Sequence, residues 1–167
     1  RRITCHLLEQ GRTLPGFIGD ISYAQSNRER YEGFCQALAD AGKKVDSSLC
    51  LTTPLGIDTY REEIDTFLSS LSRMPDAFVC ASDYVACILM QLLEKRGLRV
   101  PEDVAVSGFD NNTEDLLAEH LTTVQVFNEE LGARLALQIL YRIKYPNTPH
   151  EITYLGTNVL SRDSTGD

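Results

Sequence analysis

The stretch "DAFVCASDYVACILMQLLEKRGLRVPEDVAVSGFD", residues 76–110, sets two short apolar runs on either side of a long one. "DAFVCA" has the length and apolar density of a buried strand. Ser82 and Asp83 then offer side-chain oxygens where a helix needs its first donors capped, and "SDYVACILMQLLEKRG" runs as a strongly apolar helix that ends at Gly97. "DVAVSGFD" follows as a second strand. A strand, a helix and a strand in so short a span imply two parallel strands joined by a crossover helix.

The same unit recurs upstream. "PGFIGDI" (15–21) is a short apolar run closed by Gly19 and Asp20, and Arg28, Tyr31, Phe34, Cys35, Leu38 and Ala41 recur after it at helical spacing, with Gly42 at the expected C-terminal stop. "SSLCLTT" (47–53) reads as a weak strand, followed by the amphipathic "IDTYREEIDTFLSSLSRMP" (57–75), capped by Asp58 or Thr59 and stopped by Pro75. Downstream come a short helical patch near Glu114–Leu117, the strand "LTTVQV" (121–126) and the helix "NEELGARLALQILYRIKY" (128–145), whose Leu131, Leu135, Ile139 and Tyr141–Ile143 mark a face expected to be buried. The fold class is α/β, a doubly wound parallel sheet covered by helices on both faces.

Composition limits the function. The chain has 167 residues, 43% hydrophobic and 24% charged, which suits an ordinary globular domain, and no apolar run is long enough to cross a bilayer. A formal net charge of −8 opposes binding to a polyanion by these residues alone. Cys5, Cys35, Cys50, Cys80 and Cys87 are dispersed and unpaired in spacing, so small buried thiols in a reducing, cytoplasmic compartment are expected and a metal site is not. His6, His120 and His150 fall at unrelated points. No dinucleotide fingerprint, phosphate loop or nucleophile elbow is present, so neither an enzyme nor a cofactor is expected.

In an open parallel sheet, ligands lie outside the carboxyl ends of the strands. The residues just beyond those ends are Asp20, Ser82, Asp83, Asp110 and Asn111, with Arg28 and Arg30 one short loop after Asp20. Carboxylates accept from hydroxyls and a guanidinium donates in a fork, so the set suits a sugar or polyol. The same residues also serve as turn and cap residues. Asp110, Glu114 and Asp115 form an acidic cluster best read as a solvated loop.

The run "GLRVPEDVAVSGFDN" (97–111), with "DAFVCASDYVACILMQLLEKRG" before it, "LTTVQVFNEELGARLALQIL" and "SRDST" after it, and "HLLEQGRTLPGFIGD" and "SNRERYEGFCQALADAG" upstream, resembles the effector-binding domain of the LacI/GalR transcription regulators. The resemblance covers nearly the whole chain. It implies a two-lobed, periplasmic-binding-protein-like fold of which this chain is a part: residues 1–125 as the C-terminal lobe, 126–156 as a segment returning to the first lobe, and 157–167 as a tail returning to the C-terminal lobe. The helix-turn-helix headpiece that binds operator DNA, and most of the first lobe, fall outside these residues, so the face of Leu131, Leu135 and Ile139 is expected to lack its partner.

Residue by residue, the resemblance assigns effector contact to Arg28, Asp83 and Asp110, puts Ser82 where the family has asparagine, and sets Phe127 near the interlobe crossover as a stacking platform. It sets Cys87, Met90, Gln91 and Glu94 at a homodimer interface. The expected function is sensing of a small polar effector, a sugar or sugar phosphate, in an interlobe cleft that controls DNA binding. A secreted sugar-binding protein of the same fold is the alternative.

Overall fold

The computed structural model describes residues 1–56, 58–112 and 116–166. In chain order it contains α1 (Arg2–Glu9), β1 (Pro15–Ile18), α2 (Gln25–Asp40), β2 (Cys50–Leu51), α3 (Tyr60–Ser70), β3 (Ala77–Cys80), α4 (Asp83–Lys95), β4 (Ala105–Ser107), β5 (Thr123–Gln125), α5 (Asn128–Lys144) and β6 (Asn158–Leu160). Short 3₁₀ turns occupy Ser47–Leu49, Leu116–His120 and Asp163–Thr165.

Four strands form a parallel sheet in the order β2-β1-β3-β4. Pro15 lies beside Ala77 and Ala77 beside Ala105, so the three inner strands start level with one another. Beyond β4, isolated parallel bridges join Ser107 to Thr122 and Asp110 to Gln125. These bridges run β5 along the sheet edge, and β6 then pairs with β5 antiparallel, Gln125 opposite Asn158 and Thr123 opposite Leu160.

Alternation along each strand divides the core in two. Ile18, Phe78, Cys80, Val104 and Val106 point to one face, where α3 and α4 cover them with Ile64, Leu68, Leu89 and Leu93. Phe17, Ala77, Val79 and Ala105 point to the other, under Ile3 and Leu7 of α1 and Phe34 and Leu38 of α2. Both faces are therefore dry, which is why these strands read as continuous apolar runs. The left-handed stops expected at Gly42 and Gly97 are present, with φ of 69° and 72°.

Two local expectations are corrected, and the uncovered face expected of Leu131, Leu135 and Ile139 is present. The weak strand at 47–53 shrinks to Cys50–Leu51 because Asp46 caps a 3₁₀ turn over Ser47–Leu49, its carboxylate accepting from the Ser48 amide at 3.1 Å. Helix α3 stops at Ser70, before Pro75, once Leu71 turns extended. The apolar face of α5 is open: no residue of this helix is buried, and Leu135, Leu137 and Leu140 are each about 60% exposed. Periodicity reports that a face wants cover but not whether the described residues supply it. Of the cysteines, Cys80 and Cys87 are buried while Cys5, Cys35 and Cys50 are half-buried, and no disulfide joins any of them.

An apolar helix face of this size draws on whatever apolar surface is nearest. The isolated chain should bind a hydrophobic dye and self-associate as concentration rises, and the double substitution Leu135→Glu, Leu140→Glu should abolish both without lowering the melting temperature of the sheet domain. Light scattering with dye fluorescence checks this, and a monomeric, dye-silent wild type overturns it.

Candidate functional site

Pairing of Ile18 with Cys80 and of Val79 with Ser107 brings the turns after β1, β3 and β4 to one edge of the sheet. Asp20, the first of the residues there, is buried and committed to its own turn. One carboxylate oxygen accepts from the Ser22 amide at 2.7 Å, the Ser22 hydroxyl at 2.6 Å and the Tyr23 amide at 3.1 Å, while the other accepts from the Leu55 amide at 3.3 Å. Burial pushes this carboxyl up, but the hydrogen bonds from Ser22, Leu55 and Tyr23 outweigh it and hold the group below the ordinary carboxylate range.

A cationic group at this edge is Arg30. From the first turns of α2 its guanidinium donates to the Ala81 carbonyl, lies 3.3 Å from Asp110 and stacks 3.7 Å from the centre of the Phe109 ring. Burial lowers its pKa against the pull of Asp110 and Asp83. Arg28, the arginine expected from the sequence, is not part of this group. Two residues along a helix is a rotation of about 200°, so when Arg30 faces the sheet edge Arg28 faces solvent, exposed and without a side-chain partner among the described residues.

Asp110 keeps 42% of its side chain exposed beside Arg30. Burial raises its pKa, Arg30 pulls it down, and the nearby Asp83 pushes it up, for a net rise. Its backbone is left-handed, φ 111°, and that of Asn111 is also, φ 55°. Asp110 and Arg30 thus make a half-open pair of acceptor and donor at the mouth of the sheet. A cavity of about 280 Å³ borders Arg30 and Phe109, and the buried hydroxyl of Thr4 in its lining has no hydrogen-bond partner among the described residues.

Asp83 and Ser82 turn inward. Asp83 is 3% exposed, and its two oxygens accept from the Thr123 hydroxyl at 2.6 Å and the Asn112 amide at 2.7 Å. Burial raises its pKa despite these donors. A Cβ on Gly108 would stand 2.2 Å from Asp83, so only glycine lets β4 pass this carboxylate. The Ser82 hydroxyl accepts from the Val85 amide at 3.4 Å and caps α4. The expected convergence of Arg28, Asp83 and Asp110 is therefore replaced by Arg30 and Asp110, with Asp83 and Ser82 fixing the frame behind them.

Phe127 stands two residues beyond Gln125, the bridge partner of Asp110, and is 40% exposed. Of the acidic cluster, Glu114 and Asp115 lie outside the described residues. Arg162 was not singled out from the sequence, although it sits in the "SRDST" tail; it donates to Asn111 Oδ1 at 2.8 Å and to the Leu121 carbonyl at 2.9 Å.

Along α4, Cys87 is buried in the core while Met90 and Glu94 border a groove with Leu98 and Val100. Gln91 accepts from Arg61. The helix is apolar nearly all round because the sheet and α3 cover it within this chain, so its composition does not by itself require a partner.

Residues 4–165 match the family described as periplasmic binding protein-like domain. The chain belongs to this family. Within it, the similarity is to LacI/GalR effector-binding domains. The chain is 35% identical over 130 residues to the HTH-type transcriptional regulator DegA of Bacillus subtilis, covering 77% of this chain and 38% of that protein. It is 32% identical over 170 residues to the HTH-type transcriptional regulator CelR of Thermobifida fusca, covering 98% and 48%. A solved CelR–cellobiose complex superposes with a TM-score of 0.86 at 30% identity, over 96% of this chain and 49% of that one. The chain thus spans half or less of the length of these relatives. Names of this kind do not favour the secreted sugar-binding alternative.

Two measurements follow from the site. Folded Asp110 holds its proton more tightly than the unfolded chain does, so its contribution to stability is present at low pH and is lost as pH rises through the raised value. Asp110→Asn, which tolerates the left-handed backbone, should therefore gain melting temperature on the wild type as pH climbs from the ordinary carboxylate value of ~4 to neutrality; parallel curves contradict this. Asp83→Ala strands the Thr123 hydroxyl and the Asn112 amide, and should cost on the order of 2–4 kcal/mol in urea unfolding. A loss within error of zero would show that Asp83 is not the inward clasp described above.

Proposed function

We propose that this chain is the effector-sensing part of a LacI/GalR-type transcriptional regulator, taking a small polar ligand between Arg30 and Asp110. The observation that carries the reading is the Arg30–Asp110 pair, half-open at 3.3 Å on the carboxyl edge of the parallel sheet. The guanidinium has N–H groups to donate and the carboxylate accepts, which is what adjacent hydroxyls of a sugar or sugar phosphate require. The CelR–cellobiose complex supports a sugar in particular. Phe127, exposed just past Gln125, offers a ring face for the apolar side of such a ligand.

In this reading residues 1–125 and 157–167 form one lobe, and 126–156 belong to a first lobe completed by residues outside this chain. The pairing of β6 with β5 and the uncovered face of α5 support the division. Effector touching both lobes favours one closure angle by its differential affinity, and a helix-turn-helix headpiece outside the chain passes that state to operator DNA in the cytoplasm. Two such subunits pair through the exposed edge of α4, with Met90, Gln91 and Glu94 facing a symmetry mate and Cys87 behind them. No cofactor takes part.

The test is calorimetric titration of the full-length regulator with a panel of mono- and disaccharides. Arg30→Ala and Asp110→Asn should each lose about tenfold or more in affinity, while Arg28→Ala binds as wild type does. Equal affinity in all three variants for a sugar that the wild type binds would refute the site. A loss confined to Arg28→Ala would return it to the neighbouring arginine.

A further inference from the structure

Asp110 and Asn111 are consecutive residues with side chains in the left-handed region, at φ 111° and 55°. Backbone of this kind persists only where its surroundings over-determine it. Three elements do so here. The β5 edge holds the amide of Asp110 through the Val124 carbonyl at 2.9 Å and that of Asn111 through the Thr123 hydroxyl at 3.3 Å. From α4, Asp83 holds the Asn112 amide at 2.7 Å. The third comes from the far end of the chain, where Arg162 forks between Asn111 Oδ1 at 2.8 Å and the Leu121 carbonyl at 2.9 Å. Arg162 is itself pinned: its amide donates to the Thr122 hydroxyl at 2.7 Å, and its carbonyl accepts from that hydroxyl at 3.0 Å.

We propose that Arg162 is a positioning residue of the effector site, acting through Asn111 to hold the Asp110 carboxylate against Arg30. This rests on reading Arg30 and Asp110 as that site. Of the three elements, only Arg162 grips the Asn111 side chain, and it reaches the loop from a tail 51 residues away. Its planar fork is needed, since an ammonium cannot hold two acceptors in those fixed directions. The charges facing Asp110 are Arg30 from α2 and Asp83 from α4. Any rotation of the loop changes the balance between them, so the titration of Asp110 reports its position.

The experiment follows the Asp110 carboxyl by carbon-13 NMR across pH in wild type, Arg162→Ala, Asn111→Ala, the double variant and Ser164→Ala, with a melt of each. Ser164 anchors the same tail, accepting from the Thr122 amide at 2.8 Å and donating to the Val106 carbonyl at 2.6 Å, without touching the loop. The expected result is an Asp110 midpoint that shifts from its wild-type value in Arg162→Ala, moves no further in the double variant than in Asn111→Ala, and stays put in Ser164→Ala even as its melt drops. Should Arg162→Ala fail to fold, Arg162→Lys keeps the stem and charge and must show a shift of the same sign as Asn111→Ala. An Asp110 midpoint unchanged in both Arg162 variants, beside a lowered melt, would make the tail a structural latch only and overturn the proposal. No ligand enters this measurement, so its outcome is separate from that of the sugar titrations.

Discussion

The carboxylate of Asp83 sits where water hardly reaches, and a buried charge must be given donors or surrender its proton. Its donors are the Thr123 hydroxyl and the Asn112 amide, so the first turn of α4, the loop after β4 and the start of β5 meet at one group. The remaining features of the sheet edge depend on that meeting. Gly108 is glycine because the carboxylate passes within reach of any Cβ there. The amide of Asp83 donates to the Phe109 carbonyl at 2.8 Å, which sets the ring that Arg30 stacks on. An inward carboxylate thus holds an outward one in position, and two acidic residues of the same edge come to have different roles.

That difference is what the sequence conceals. Strand and helix alternation was legible because burial on both faces leaves long apolar runs between Gly and Asp stops, as in "DAFVCA" and "DVAVSGFD". Asp110 was legible as a residue of this sheet edge from its place after a strand. Asp83 stands in an equivalent place, and only the hydroxyl of Thr123, 40 residues on, tells that it faces inward. Arg28 and Arg30 are both basic and both follow Asp20; helix phase decides between them, and phase is set by Phe34 and Leu38 entering the core. Arg162 could be found only as part of a tail motif, because its partners lie at Asn111, Leu121 and Thr122.

Helix α5 shows the opposite case, a pattern whose uncovered outcome followed from the resemblance and not from the spacing. Its apolar spacing is as regular as that of α4, yet α4 is enclosed by the sheet and α3 while α5 covers nothing. Amphipathicity is a demand, and the chain that meets it can be another part of the same protein. The family match gives that demand its context, since the chain accounts for about half or less of the relatives it matches.

The pairing of β5 with β6 also separates what is essential to the sheet domain from what is carried by it. Gln125 and Asn158 are directly opposed, so the chain leaves and re-enters at a single point. Excising the intervening excursion and joining the two strands by a tight reverse turn would leave a continuous β-hairpin with its ladder intact. In this sense the connectivity of the sheet does not run through the helix beyond it.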